Sequence, residues 1–207
     1  MIRVYIVCEG STEEKFTKSL LIPYFHQFNI SIIPVNQRGV VTYGGLKKDL
    51  QRLCRQDSSA WVTTFIDYYG FPKDCPFKKE CINKSSSERA VLLENAFQED
   101  IKQQNFIAHL TMHEFEGLLF SEPNAFLSQF DSETVQAISK IVQQFSSPED
   151  INDGLATAPS KRIQQIRRDY DKVRHGSLIS SEISLEKIRQ KCPLFNAWLE
   201  KIENLNT

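Results

Sequence analysis

Four short runs of apolar, mostly β-branched residues recur within the first 112 positions, and segments with helical periodicity separate them. The runs cover residues 2–8, 30–35, 61–66 and 106–112, and their composition is typical of buried strands. A connection that contains a helix of ten or more residues joins parallel strands, because a hairpin needs only a short turn. The sequence therefore predicts an α/β fold, with a Rossmann-like, mainly parallel sheet and helices on both faces.

The first of the intervening helices has a recognisable start. Ser11 is predicted to be its N-cap, and Glu14, three residues later, completes a capping box. Apolar residues then recur at helical spacing, and Pro23 is expected to kink the helix. A second proline, Pro34, is expected to end or distort the second strand, because it cannot donate a ladder hydrogen bond.

The pattern changes after Glu114, where apolar residues recur at helical intervals up to the end of the chain. A length of 207 residues suits one generous domain, and no flexible linker interrupts the sequence. We therefore expect residues 1–120 to form the α/β core and residues 121–207 to form a helical elaboration packed on that core.

The cellular location is predicted from apolar runs and cysteines. The first apolar run is too short for a signal-peptide core, and no later stretch approaches the ~20 apolar residues that span a bilayer. The five cysteines are an odd and scattered set, which suits reduced thiols. The sequence predicts a cytoplasmic protein with no membrane partner.

Charge is distributed unevenly, although the net charge is only −1. Residues 160–191 contain nine Lys and Arg against four Asp and Glu, whereas residues 1–159 contain 15 against 20. Two interpretations remain open for the basic segment: solvated helix faces, or a surface that contacts phosphates.

Acidic residues follow three of the four predicted strands. Glu9 follows the first strand, Asp67 ends the third, and Glu114 and Glu116 follow the fourth. Parallel strands bring these ends to one edge of the sheet, where α/β proteins bind ligands. Glu13, in the first turn of the first helix, is expected nearby. Carboxylates without a Cys or His cluster favour Mg²⁺ or Mn²⁺.

Each acid except Glu9 also has a structural interpretation. Glu13 and Glu14 suit the positive end of a helix dipole, and Asp67 is placed to form an Asx turn. Glu114 and Glu116 are alternatively a solvated pair in a loop. Glu9 has no such explanation, because a carboxylate at the end of an apolar strand has no local structural role.

Several common catalytic motifs are absent from the sequence. The segment that starts at His113 has Gly117 where the HExxH zinc signature needs its second histidine. There is no GxxxxGK[ST] phosphate loop, no GxGxxG turn and no GxSxG elbow. P-loop nucleotide hydrolysis and serine-hydrolase chemistry are therefore excluded.

The arrangement of acids resembles the TOPRIM fold of topoisomerases, primases and OLD-family nucleases. Four segments in order, VCEGSTEEKF, FIDYYGFP, HEFEGLLFS and the distal APSKRI with YDKVRHG, resemble more closely a bacterial TOPRIM-like domain family of unknown function. That family has about this length, is related to OLD-family nuclease TOPRIM domains, and is often encoded beside ABC-type or SMC-like ATPases in candidate phage-defence pairs.

The resemblance implies specific roles for the acids. Glu9 matches the first acid of the TOPRIM motif, which coordinates metal or performs acid/base work. Glu13 matches the second acid of the nuclease branch, and Asp67 matches the first Asp of the D-x-D element. Tyr69 stands at the second Asp of that element, which removes one ligand and puts a two-metal site in doubt; Glu114 or Glu116 is the candidate replacement.

The resemblance also implies a nuclease or nicking subunit dependent on Mg²⁺ or Mn²⁺, acting on DNA or RNA under the control of an ATPase partner. Its predicted metal ligands are Glu9, Glu13, Asp67, Glu114 and Glu116. A cationic partner is needed to offset the repulsion between carboxylates and phosphate. The predicted catalytic set is Glu9, Asp67, Glu114, Lys172 and His175, and the predicted phosphate contacts are Lys161, Arg162, Lys172 and Arg174.

Other functions stay open at this point. Tyr69 in place of an acid favours a non-catalytic TOPRIM-like module that docks on an ATPase and senses nucleic acid. A phosphohydrolase or nucleotidyl transferase acting on small molecules is a third possibility. For Lys172 and Arg174, the structural alternative is that they cover a helix end before Gly176.

Overall fold

The sheet of this protein is parallel and has its first strand near the centre. A computed structural model describes residues 1–37, 42–78, 84–151 and 154–206. Its strands are β1 (Ile2–Cys8), β2 (Ile30–Asn36), β3 (Trp61–Asp67), β4 (Phe106–Ile107) and β5 (Leu110–Thr111). In the described residues the order is β2-β1-β3-β4, β5 also pairs with β3, and all the strand pairs are parallel. The predicted α/β fold is confirmed.

Helices connect the strands and then form the C-terminal part of the chain. α1 (Ser11–Phe16) continues through a π-helical segment, Thr17–Leu21, into α2 (Ile22–His26). α3 (Tyr43–Gln56) precedes β3, and α4 (Ser86–Ile101) precedes β4. The remaining α-helices of the described residues are α5 (Glu116–Leu119), α6 (Ser132–Val142), α7 (Pro159–Ile166), α8 (Ser177–Ser181), α9 (Leu185–Lys191) and α10 (Pro193–Glu203).

Each face of the sheet has its own hydrophobic cluster. Val4 and Ile6 of β1 pack on the side of α1 and α2, while Val7 packs on the side of α3 and α4, as the two-residue period of a strand requires. The first cluster also contains Trp198 of α10, whose ring lies 5.3 Å from that of Phe65. Residues on both sides of position 120 therefore share one core, and the boundary between residues 1–120 and 121–207 stays a prediction.

The fourth predicted strand is split in two. Between β4 and β5, the backbone of residues 108 and 109 bonds to side chains and leaves the ladder. Thr64 Oγ1 donates to His109 O at 2.6 Å and accepts from His109 N at 3.2 Å, and Ala108 N donates to Gln98 Oε1 at 2.8 Å. The prediction of one strand over 106–112 was wrong because side chains replace its central bonds.

The predictions for the first helix and the second strand also need correction. Gly10 is the N-cap of α1, and Glu13, not Glu14, accepts the Gly10 N–H at 3.0 Å. Pro34 lies within β2 and does not end it. In the described sheet β2 is an edge strand that pairs only with β1, and proline is tolerated there because no second strand needs its missing N–H. Pro23 lies in the first turn of α2, directly after the π-helical segment.

The strand order creates a crevice at the carboxyl ends of β1 and β3. From these two neighbouring strands the chain continues toward opposite edges of the sheet: β1 is followed by β2 at one edge, and β3 is followed by β4 and β5 toward the other edge. α1 packs on one face and α3 on the other. This is the topological switch point at which open α/β sheets bind ligands. No helix in the described part of the chain is long and apolar enough to cross a membrane.

Candidate active site

Glu9 and Asp67 meet at the switch point. Glu9 N donates to Phe65 O at 3.2 Å, which extends the pairing of β1 and β3 by one residue. The Glu9 Oε2 atom accepts the Asp67 N–H at 3.0 Å. Asp67 Oδ1 in turn accepts the Phe115 N–H at 2.8 Å. Backbone donors thus hold both carboxylates at the edge of the sheet, although the two residues lie 58 positions apart.

Glu13 approaches the same crevice from α1. The turn through Gly10 starts this helix at the end of β1, and Glu13 is only 3% exposed. Burial first, and then the charge of Asp67, raise the pKa of Glu13, while the charge of Lys172 lowers it. Its bond to Gly10 N satisfies a helix N-terminus, which confirms the structural interpretation of Glu13, while its role as a metal ligand stays a prediction. Glu14 pairs with Lys18 and accepts from Asn36 at 2.7 Å, outside the crevice.

Glu114 and Glu116 close the crevice from the segment after β5. Glu116 begins α5 and is 0% exposed, so its interpretation as a solvated acid was wrong. Its Oε1 atom accepts the Tyr170 hydroxyl at 3.4 Å. Glu114 Oε2 accepts the Ser160 N–H at 3.0 Å, at the start of α7. Residues from the C-terminal part of the chain, Ser160 of α7 and Tyr170 of the segment after α7, therefore orient both acids.

Lys172 places the positive charge among these acids. Its Nζ atom lies 3.1 Å from Asp67 Oδ2 and 3.2 Å from Glu116 Oε2. The residue begins a π-helical segment, Lys172–Gly176, which the Asp171 side chain caps by accepting from Arg174 N. The interpretation of Lys172 as the cover of a helix end was wrong, because the side chain reaches a strand end 105 residues earlier in the sequence.

One ammonium group does not balance so many carboxylates. Burial first, and then the charge of Asp67, raise the pKa of Glu9 and of Glu13 to about 7. Burial also raises the pKa of Glu116 to about 7 against the effect of Lys172, and it raises the pKa of Asp67. Burial lowers the pKa of Lys172, but the negative charges of Asp67 and Glu116 have the larger effect, so the pKa of this lysine is raised overall. The crevice thus favours added positive charge or bound protons near neutral pH.

Two glycines and a tyrosine that sequence reasoning missed complete the crevice. A Cβ atom on Gly70 would lie 2.2 Å from Glu9 Oε2, so the loop after β3 can approach Glu9 only without a side chain there. A Cβ atom on Gly176 would lie 3.0 Å from the Tyr170 hydroxyl. The sequence signal for Gly70 is its position three residues after Asp67, an acid at a strand end. For Tyr170, no sequence feature indicates a contact with Glu116.

His175 lies beside the crevice and does not meet the acids. Its Nδ1 atom accepts the Asp171 N–H at 2.8 Å, and its ring packs against those of Phe130 and Tyr170. Among its contacts in the described residues, none is with an acid of the cluster. His175 therefore packs within the π-helical segment that precedes α8, and its contacts do not support the predicted catalytic role.

Three predicted phosphate contacts form no bond to the acids within the described residues. Lys161 bonds to Gln164 at 3.1 Å. Arg162 donates to the Thr157 carbonyl at 2.9 Å and stacks over Phe145. Arg174 is exposed. The structure therefore joins only Lys172 of this predicted set to the acids.

The side chains of the crevice provide hard oxygen donors, as Mg²⁺ and Mn²⁺ prefer. The buried Glu116 Oε2 atom has no hydrogen-bond donor, although it pairs with the ammonium group of Lys172. In the part of the chain that the structure describes, no three His, Cys, Asp or Glu side chains are arranged to hold a metal ion. Lys172 stands between Asp67 and Glu116, so the donor set fits such an ion only when this lysine withdraws.

Tyr69 stands where the sequence resemblance predicts a second acid, and it brings no carboxylate to the crevice. Its ring lies 5.7 Å from that of His113, and its N–H donates to the His113 carbonyl at 3.2 Å. Glu116, fully buried and ion-paired with Lys172, supplies an additional carboxylate from α5.

Comparison with known proteins identifies a family and a set of solved structures. The family described as "Domain of unknown function (DUF4276)" matches residues 8–203. The C-terminal region of the Burkholderia pseudomallei OLD protein is similar in structure, with a TM-score of 0.45 and 14% identity over 96% of this chain and 99% of that chain. The corresponding region of the Xanthomonas campestris pv. campestris OLD protein gives a TM-score of 0.39 and 16% identity over 97% and 98%. No curated protein matches the chain.

Proposed function

This chain belongs to the DUF4276 domain family, and we propose that it is a divalent-cation-dependent phosphodiesterase that cleaves DNA or RNA. The observation that carries the proposal is that Asp67 and Glu116 both pair with Lys172 at the switch point of a parallel sheet, where Glu9 also accepts the Asp67 N–H. The sequence resemblance to TOPRIM-like nucleases supports the same chemistry. Burial raises the pKa of Glu9 and of Glu116, and carboxylates with raised pKa values that cluster together are typical of functional sites.

The acids have distinct parts in this proposal. Glu9, Asp67 and Glu116, with Glu13 and Glu114 beside them, would hold Mg²⁺ or Mn²⁺. When bound, such an ion stabilises charge on the phosphate oxygens and lowers the pKa of water. Glu9 and Glu13 have a pKa of about 7, which allows either side chain to take up or release a proton at neutral pH.

Lys172 changes its partner in the proposed reaction. In the structure it pairs with both Asp67 and Glu116, and 39% of its side chain is exposed, so the ammonium group can turn toward a phosphate that enters the crevice. There it would stabilise the negative charge that develops on the phosphate oxygens. The Tyr170 hydroxyl keeps Glu116 oriented while Lys172 moves.

Calorimetry with Mn²⁺, followed by incubation with plasmid, linear DNA and RNA, tests this function. Wild-type protein is expected to bind Mn²⁺ and to cleave at least one substrate, and Asp67→Asn is expected to lose both properties. Glu99→Gln, a change at an exposed position of α4, serves as the matched control and should retain both. If Asp67→Asn binds and cleaves like the wild type, the proposal is wrong.

A non-catalytic binding module is the second candidate, and the ion pairs of Lys172 favour it because they give the acids a counter-charge without any metal. Lys172→Met distinguishes the two functions. In a metal-dependent enzyme this change removes a competing cation, so Mn²⁺ binding tightens while cleavage falls. In a binding module, neither the wild type nor the variant binds Mn²⁺ appreciably.

We further propose that an ABC-type or SMC-like ATPase controls the cleavage in a phage-defence pair, as the sequence resemblance implies. The test is cleavage with and without the ATPase encoded beside this chain, in the presence of ATP. An effect of the ATPase that disappears in Asp67→Asn would support control of this site. Hydrolysis of simple phosphate esters, with no action on nucleic acid, would instead indicate an enzyme for small molecules.

A further inference from the structure

A basic groove lies next to the acid cluster, between α1 and the segment from Asp171 to α8. It has a volume of about 810 Å³, and its walls carry Lys15, Lys18 and Arg174. Lys18 pairs with Glu14, whereas Lys15 and Arg174 form no ion pair within the described residues and are both exposed. The acid in the groove, Asp171, is already engaged as the acceptor of the Arg174 N–H. The groove therefore presents unpaired positive charge.

The same two chain segments form the groove and one side of the acid cluster. Glu13 of α1 is buried toward the acids, while Lys15 of α1 and Lys18 of the following π-helical segment line the groove. In the π-helical segment, Lys172 reaches Asp67 while its neighbours Asp171 and Val173 line the groove. The segments pack directly on each other, since a Cβ atom on Gly176 would lie 3.8 Å from the Thr12 methyl group. Anything that fills the groove thus lies within a few residues of Lys172.

The lining of the groove indicates what kind of molecule it binds. Besides its cations and serines it carries two exposed apolar side chains, Val173 and Leu178, and none of the described residues that line it is aromatic. Bases do not stack on such a surface, but phosphates pair with the cations, and apolar side chains can lie against sugars. This chemistry favours a sugar–phosphate backbone that is bound without sequence preference.

We propose that this groove binds the backbone of the nucleic-acid strand whose phosphate enters the acid cluster, with Lys15 and Arg174 as phosphate contacts. The inference deepens the proposed function and rests on it for the identity of the substrate. It adds a contact, Lys15, that lies far from the basic C-terminal segment in the sequence. It also gives Arg174 a role distinct from that of Lys172, which acts within the cluster.

Fluorescence anisotropy with labelled oligonucleotides tests the groove. The double variant Lys15→Glu/Arg174→Glu is compared with Lys48→Glu/Arg55→Glu, which makes the same charge change at exposed positions of α3, on the opposite face of the sheet. Single-stranded and duplex forms of one sequence are measured with Ca²⁺ over a range of salt concentrations. The groove variant should lose about tenfold or more in affinity, and the slope of log K against log salt should fall by about 1 to 2.

The single-stranded and duplex oligonucleotides are compared separately. The form whose affinity falls more in the groove variant is the form that the groove binds. Equal losses in the groove and α3 variants would show that only net charge matters and would overturn the inference. An unchanged affinity in the groove variant, or no binding by the wild type at low salt, would also overturn it. Mn²⁺ calorimetry without nucleic acid reports on the acid cluster alone, so failure of metal binding counts against the proposed function and not against the groove.

Discussion

Replacing Glu116 with glutamine should remove part of the pH dependence of the free energy of unfolding. Glu116 is fully buried, and burial raises its pKa to about 7 from an ordinary value of 4.5. Between these two pH values the folded protein holds a proton that the unfolded chain has released. The free energy of unfolding of the wild type, without metal, therefore falls as pH rises from 4.5 to 7. Glutamine cannot ionise, so Glu116→Gln removes this contribution.

The size of the effect follows from the shift in pKa. A difference between 4.5 and about 7 corresponds to about 3 kcal/mol, which is an upper limit because the site can relax and admit water. The glutamine variant should therefore gain up to about 3 kcal/mol relative to wild type between pH 4 and pH 8. For a chain of this length that is about 6 to 12 °C in the midpoint of thermal unfolding. The amide oxygen can still accept from Tyr170, so the variant is expected to fold.

Thermal unfolding followed by circular dichroism in EDTA, from pH 4 to pH 8, measures this difference. Glu99→Gln serves as the control, because Glu99 is exposed on α4. Parallel pH profiles for wild type and Glu116→Gln would refute the reasoning, since they would mean that Glu116 does not exchange a proton on unfolding. Added Mn²⁺ should flatten the wild-type profile, because a bound cation stabilises the ionised form.

Two further predictions concern positions that hold the site in place. In Gly70→Ala the new methyl group collides with the Glu9 carboxylate, at 2.2 Å from Oε2. The Mn²⁺ affinity measured by calorimetry should therefore fall about tenfold or more, while the midpoint of thermal unfolding changes little. The control is Gly44→Ala, where a Cβ meets no atom within 4 Å and the Mn²⁺ affinity should stay unchanged. Trp198→Ala empties a buried site and removes the 2.9 Å bond to Thr63, and urea denaturation should show a loss of about 3–5 kcal/mol. A loss below about 1 kcal/mol would show that α10 is not needed for the shared core.

The strands and the site acids differ in how far sequence predicts them. β1 and β3 were predicted to within a residue, because each is a run of apolar residues with a turn or a charge at its end. Glu9 and Asp67 follow directly from those strand ends. The split of the fourth strand was not predictable, because it depends on Thr64 and Gln98, side chains that reach the strand from elsewhere in the chain.

The C-terminal half shows the limit more clearly. Its helical character is visible from apolar periodicity, but the periodicity does not say which polar residue turns inward. Lys172 and His175 looked equally suitable from their shared segment, and only Lys172 reaches the acids. Tyr170 begins the YDKVRHG segment that carries part of the resemblance, but nothing in the sequence indicated that it orients Glu116.

The sequence by itself determined the α/β class, the order of strands and helices in the first half, and the presence of acids at strand ends, because these features depend on residues that are close together in the chain. The tertiary structure alone decided that Lys172 pairs with Asp67 and Glu116, and that Lys15 shares a groove with Arg174. The physical reason is that such pairs join residues more than 50 positions apart. Their distances are set by how the C-terminal helices pack against α1 and the sheet, and local periodicity carries no information about that packing.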